Sequence, residues 1–452
     1  MTFRSLLRRK EIGANSYLIE AGGSRIILDA GAHPREKGLD SLPNHSAVPY
    51  NSADAIIITH AHHDHIGSLP VLQRQQPKTP VFMTEATGEL TAGMLHNSVN
   101  VMSSQRDELQ IHEYPLFTHK EIDGIVSQWD YRDLRKPFML PGTDVECTFY
   151  DAGHIMGSVG VRLRHGGKTL FYSGDVNFES QTITKGADFP TEGIDALIIE
   201  TTRGDYQRPE DFSRRGEKER LGKAIRETFE VNGAVLIPVF ALGKSQEVLV
   251  MMHELVEMEL IPPAPVVIGG LSTKVTVMYD QYAHKTRRNY EGFRILQDMR
   301  TLVAPRKRKK ELTYNPQTIY ALSSGMMSEG TTSNQFARQF LPNARNTVAF
   351  VGYTDPETPG YRVRNAKPGE PVVLDPKLPA VEVHCRVESY DFSAHSTRES
   401  IVDYVKQVAP AKVLLVHGDP PAQAWFQQTL ARELPQSSEV MAPEGGQQIQ
   451  LW

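Results

Sequence analysis

The chemistry in this 452-residue chain concentrates in one hexapeptide, His60-Ala61-His62-His63-Asp64-His65. The spacing His-x-His-x-Asp-His puts imidazole nitrogens and a carboxylate oxygen at one point. That donor set suits zinc or a similar divalent ion. The stretch is internal, so it is not a terminal tag, and imidazoles crowded beside a carboxylate have little structural use. His60, His62, Asp64 and His65 can hold one ion or begin to hold two, and a pair needs further ligands from elsewhere. Other residues of the right type recur beside glycine. They are Asp29 before Ala30-Gly31, His154 after Gly153, Asp175 after Gly174, and His417 before Gly418.

The elements that must aim these groups are short apolar runs. Ala55-Ile56-Ile57-Ile58 reads as a buried strand delivering the hexapeptide. Arg25-Ile26-Ile27-Leu28 ends at Asp29, whose carboxylate there could accept the second N–H of a hexapeptide imidazole. Thr169-Leu170-Phe171-Tyr172 leads to Asp175, placed to bridge two ions. Asp195-Ala196-Leu197-Ile198-Ile199 delivers Glu200, and Val413-Leu414-Leu415-Val416 delivers His417. Polar groups placed repeatedly after buried strands are the pattern of a layered sheet with a site along one edge. Residues 67–72 and 84–94 are expected to be helical, and residues 381–387 a strand before Phe392-Ser393-Ala394-His395.

The length predicts two domains. No run is long enough to span a bilayer, so no membrane partner is expected. Cys147 and Cys385 are far apart in sequence, which fits a reducing, cytoplasmic setting. A net charge of −5 argues against broad nucleic-acid binding, but the basic run Arg306-Lys307-Arg308-Lys309-Lys310 is local. Between about residues 206 and 360 strands alternate with helices, which predicts an inserted parallel α/β domain. Within it, Lys244 and Ser323-Ser324-Gly325 sit at strand-to-helix turns where backbone N–H groups could bind phosphate.

Taken together, these residues resemble the metallo-β-lactamase superfamily and its β-CASP branch of nucleases. His60-x-His62-x-Asp64-His65 is similar to the defining motif of the superfamily. Asp29, His154 and Asp175 fall where its other metal-site motifs lie, and Glu200, His395 and His417 match the three β-CASP motifs in order. The resemblance implies an α/β fold: a four-layer αβ/βα sandwich formed by residues 1–205 and 361–452, interrupted by a β-CASP domain at 206–360. The branch includes ribonuclease J and the polyadenylation-type endonuclease. The short stretches outside the first strand and after His417 lead us to expect a minimal bacterial form.

The resemblance also implies roles. His60, His62 and His154 would hold one Zn²⁺, and Asp64, His65 and His417 the other, with Asp175 bridging and Asp29 orienting a ligand. Manganese is the alternative occupant. Asp64 also orients the nucleophile, His395 contacts the scissile phosphate as the acid, and Glu200 holds His395. Lys244, Ser323, Ser324 and Gly325 are the expected substrate contacts. The expected reaction is phosphodiester hydrolysis in single-stranded RNA, by internal or 5′-exonucleolytic cutting, with a homodimer as the expected assembly. A DNA nuclease of the same family, or a hydrolase of small esters or thioesters, is the alternative.

Overall fold

A computed structural model describes residues 1–299, 301–303 and 314–452. The basic run at 306–310 lies outside the described residues. The chain divides into two units. The first comprises residues 1–180, 186–208 and 395–452, and the second residues 181–185 and 209–394.

The first unit holds two seven-stranded sheets. One runs in the order Gln448–Gln450, Thr2–Ser5, Tyr17–Ala21, Ser24–Leu28, Ala55–Ile57, Val81–Met83, Trp129–Tyr131. The other runs Glu439–Met441, Lys412–Val416, Ala196–Glu200, Lys168–Tyr172, Val159–His165, Glu146–Asp151, Phe138–Met139. The period-two alternation of side chains decides the layering. Ile26, Leu28, Ile57, Leu170, Tyr172 and Ile198 point into one core shared by both sheets. Their neighbours Ile27 and Ile56 pack outward against Leu69, Leu72, Leu95 and Ile122 of the helices on that side. Phe171, Leu197 and Ile199 pack outward against Ile401, Val405, Phe426 and Leu430. Both faces of each sheet are therefore buried, which is why these strands read as continuous apolar runs. The result is a helix–sheet–sheet–helix sandwich.

Strand polarity gathers the loops. Ser24–Leu28 pairs parallel with Ala55–Ile57, so Asp29 and His60 leave the same edge. Lys168–Tyr172, Ala196–Glu200 and Lys412–Val416 are mutually parallel, so Asp175, Glu200 and His417 share an edge as well. Val159–His165 is antiparallel to both of its neighbours, which brings the loop holding His154 to that edge.

The second unit is built on a six-stranded sheet. Its order is Thr301–Val303, Val266–Ile268, Ile319–Leu322, Val235–Pro238, Thr347–Phe350, Arg386–Ser389, and every pairing is parallel.

Several local expectations change. The helix at 84–94 extends over Glu85–Glu108, and a helix His63–Ile66 begins inside the hexapeptide. The strand expected at 381–387 is two pieces. Val381–Glu382 pairs with Pro371–Val372, while Arg386–Ser389 joins the six-stranded sheet. Residues 361–394 accordingly pack with the second unit.

Candidate metal centre

The ligand candidates converge from separate strand ends. His60, His65, His154, Asp175 and His417 are all buried. Two groups lie with their donor atoms within 4.8 Å of one another: His60, His62, His154 and Asp175, and Asp64, His65 and His417. Asp175 stands between the groups. Its Oδ2 faces Nε2 of His60 at 3.5 Å and Nε2 of His154 at 3.6 Å. Its Oδ1 faces Nε2 of His65 at 3.2 Å and Nδ1 of His417 at 3.5 Å. Asp64 Oδ2 closes the second group, 3.1 Å from His417 Nε2.

The electrostatics are those of a site built for cations. Nε2 of His60 and Oδ1 of Asp175 are buried without a hydrogen-bond partner among the described residues. Burial, reinforced by the charge on His65, holds His60 well below the usual imidazole range. Burial also opposes charge on His417, yet Asp175 and Asp64 carry it up to about 9. Orphaned buried donor atoms of this kind cost free energy unless something satisfies them. Imidazole and carboxylate donors in this arrangement fit divalent ions of the zinc class.

Asp29 organises the surroundings. It has φ +59, a left-handed conformation that Asp tolerates better than most residues. Its carboxylate accepts from Thr59 N at 2.8 Å, His65 Nδ1 at 2.8 Å and the Tyr172 hydroxyl at 2.8 Å. The Thr59 hydroxyl lies 2.9 Å from Asp29 Oδ2 and 3.1 Å from His60 Nδ1. If it donates to the carboxylate it accepts from His60, so the network assigns His60 the tautomer that leaves Nε2 as the ligand atom. On the far side, Thr202 Oγ1 lies 2.9 Å from His417 Nδ1. The sequence reading missed Thr59, Tyr172 and Thr202. Their one signal was position: each ends or follows a buried strand, next to or near a candidate ligand.

A third group adjoins the first two and contains Asp175, Glu200 and His395. Glu200, at the end of its strand, accepts from His395 Nδ1 at 3.0 Å and from Val176 N at 2.8 Å. The His395 ring sits 4.6 Å from that of His154. Burial opposes a charge on His395, but Glu200 outweighs it and raises the pKa.

The expected substrate contacts lie in the second unit. Lys244 begins the helix after Val235–Pro238, and its ammonium donates to the Phe392 carbonyl. Ser323, Ser324 and Gly325 follow the neighbouring strand Ile319–Leu322. The Ser324 hydroxyl accepts from Ser328 N at 3.1 Å, and a Cβ on Gly325 would lie 3.2 Å from Phe240. The two loops leave the same edge of the parallel sheet.

Family models match the chain in three consecutive parts. Residues 9–231 match the metallo-beta-lactamase superfamily, residues 245–363 the Beta-Casp domain, and residues 380–443 the Zn-dependent metallo-hydrolase RNA specificity domain. The chain belongs to the β-CASP branch of the metallo-β-lactamase superfamily. Among curated β-CASP relatives, the transcription termination factor FttA of Methanothermobacter thermautotrophicus is 28% identical over 91% of this chain and 66% of its own length. The endoribonuclease YSH1 of Candida glabrata is 27% identical over 92% of this chain and 55% of its own length. The chain thus spans between half and two thirds of these relatives. A solved structure of a protein of unknown function from Enterococcus faecalis shares the fold, with a TM-score of 0.59 at 14% identity over 99% of both chains. No helix among the described residues is long and apolar enough to cross a membrane.

Proposed function

We propose that this chain is a zinc-dependent nuclease that hydrolyses phosphodiester bonds in single-stranded RNA. The observation that carries the proposal is His395, held by Glu200 and packed with its ring tilted against that of the candidate ligand His154. Hydrolases of small esters or thioesters in this superfamily need the ligand cluster but not this added pair. An endoribonuclease among the relatives and a matched RNA specificity domain favour RNA over DNA.

In this reading His60, His62, His154 and Asp175 hold one zinc, and Asp64, His65, His417 and Asp175 a second. Zinc there supplies positive charge for the phosphate oxygens and a nucleophile that is active at neutral pH. The chain's own residues do the rest. Asp29 and Thr59 fix the rings of His65 and His60, and Thr202 fixes His417. Asp64, with a side chain 21% exposed against 3% for Asp175, orients the attacking water. His395 keeps a proton on the ring nitrogen turned away from Glu200 and gives it to the leaving oxygen. Lys244 and the turn Ser323-Ser324-Gly325 are the proposed contacts to the RNA backbone in the second unit.

The test is cleavage of end-labelled single-stranded RNA by protein of measured metal content, with Asp64→Ala beside it. RNA cut by wild type and spared by the variant supports the proposal, and the product ladder separates internal from 5′-stepwise cutting. Intact RNA in the presence of bound metal sinks it.

A further inference from the structure

The second unit carries exposed aromatic rings where its parallel strands end. Phe240 follows the strand Val235–Pro238 and, at 39%, is the most exposed phenylalanine among the described residues. Tyr353 follows the neighbouring strand Thr347–Phe350 and is 62% exposed, more than any other aromatic described in that unit. Single exposed apolar side chains are ordinary. These two share one edge, outside the carboxyl ends of parallel strands, where open α/β sheets take their ligands.

Both loops are anchored. Val239 N donates to Leu322 O at 3.0 Å and Ser245 N to Phe240 O at 3.0 Å, which fixes the Phe240 backbone between the sheet and the following helix. Its ring lies along the turn after Ile319–Leu322: a Cβ on Gly325 would come within 3.2 Å of Phe240 Cδ2. The segment after Tyr353 is tied to the same turn, since Gly360 N donates to Met326 O at 2.9 Å.

Cationic groups lie among the rings. Arg364 Nη1 donates to the carbonyl of Gly352, the residue before Tyr353, at 3.4 Å, and its Nε donates to Ser389 Oγ at 2.9 Å. A Cβ on Gly352 would lie 3.9 Å from Lys244 Cε, so the lysine stem reaches from the Phe240 loop to the Tyr353 loop. Anchored rings beside fixed positive charge are the pattern that binds unpaired nucleic acid. Every base offers a π face to stack, and the cations meet the backbone. A duplex keeps those faces stacked inside, whereas a single strand can splay its bases onto a ring. A protein partner would be served by a continuous apolar patch, but here glycine and cationic side chains separate the rings.

We infer that Phe240 and Tyr353 form a stacking platform for unpaired bases of the RNA, which selects single strands over duplex without reading base identity. The inference deepens the nuclease reading and rests on it for the substrate, but the stacking is measured apart from cleavage.

The experiment uses the full chain with its metal content measured. Single-stranded RNAs carry, at successive positions, a purine analogue whose fluorescence responds to stacking. They are mixed rapidly with the protein, so that binding is read before any cut, and blunt duplexes of the same sequences are the comparison. Wild type is expected to shift the label's fluorescence in single strands and to bind duplex about tenfold more weakly. Phe240→Leu and Tyr353→Leu keep apolar bulk but remove the π face. Each is expected to weaken single-strand binding about tenfold and to reduce the fluorescence shift. Tyr353→Phe keeps the ring and is expected to bind like wild type, which separates stacking from any bond of the hydroxyl. Tyr353 is the deciding position, because so exposed a side chain can be replaced without disturbing the fold. Single-strand binding that is absent, unchanged in Tyr353→Leu, or lost equally in Tyr353→Phe overturns the platform. An equal loss of duplex binding in Tyr353→Leu overturns it as well. If wild type shifts the label but cuts no RNA, the nuclease reading fails and the platform stands. If wild type cuts RNA while Tyr353→Leu binds as before, the platform fails and the nuclease reading stands.

Discussion

Glu200 Oε1 lies 3.0 Å from His395 Nδ1, a contact between residues 195 positions apart in sequence. The same oxygen accepts from Val176 N, one residue beyond Asp175, at 2.8 Å. Glu200 therefore holds His395 and the backbone beside Asp175 at once. His395 is further tied down by Ser396, whose N–H reaches Val176 O at 2.8 Å. Glu200→Gln keeps the shape but removes the charge that raises the His395 pKa. Zinc content should stay at the wild-type level while RNA cleavage falls ten- to hundredfold, less than for loss of the acid itself. Parallel metal analysis and single-turnover kinetics read the two quantities, and a matching fall in zinc would make Glu200 a ligand instead.

Asp29 touches no candidate ion site directly, yet it accepts from Thr59, His65 and Tyr172. Asp29→Asn tolerates the left-handed backbone and removes the charge. Zinc affinity should fall 10- to 100-fold, as is usual when a group orienting a ligand is lost. Competition with a chelator of known affinity measures it. Unchanged affinity would show that His65 does not depend on Asp29 for its orientation.

Gly31 is a packing constraint on the metal loop. A Cβ there would lie 1.7 Å from the Asp64 carbonyl oxygen and 2.7 Å from Asn15 N, both backbone atoms. Neither can yield without moving Asp64 or its neighbours. Gly31→Ala should therefore give little soluble protein, and what is soluble should bind substantially less zinc. Wild-type yield and zinc content in that variant would refute the packing account.

His45 supplies a pH dependence away from the metal. Burial pushes its pKa down to about 4, and its Nε2 lies 2.9 Å from the Ser68 hydroxyl. The unfolded chain takes up this proton near pH 6.5, whereas the native state resists it until about pH 4. The neutral ring's contribution is thus complete above about pH 6.5 and is lost as pH falls through about 4. It amounts to about 3 kcal/mol as an upper figure. Urea denaturation between pH 4 and 7 should show a steeper loss of stability in wild type than in His45→Gln. Equal slopes would mean that His45 is not held neutral.

Much of this was legible in the sequence because buried parallel strands are continuous apolar runs, and the residue after such a run leaves at the sheet edge. That logic reached Asp29, His60, Asp175, Glu200 and His417 directly. The partners Thr59, Tyr172 and Thr202 were not legible, because a hydroxyl at a strand end looks the same whether it meets a carboxylate or water. The split of residues 381–387 into two pieces was hidden for a different reason. Residues 381–387 alternate apolar and polar like one strand. Long-range bonds interrupt it: Val383 N donates to Glu370 O at 3.0 Å, and Cys385 N to Leu341 O at 2.9 Å. Those partners lie too far away in sequence for a local pattern to reveal them.

The most direct test of the central claim is RNA cleavage by His395→Ala, expressed per bound zinc. The account predicts zinc retained at the wild-type level and cleavage reduced by about a hundredfold or more. Cleavage per zinc equal to wild type, or zinc lost along with activity, would contradict the assignment of His395 as the group that protonates the leaving oxygen.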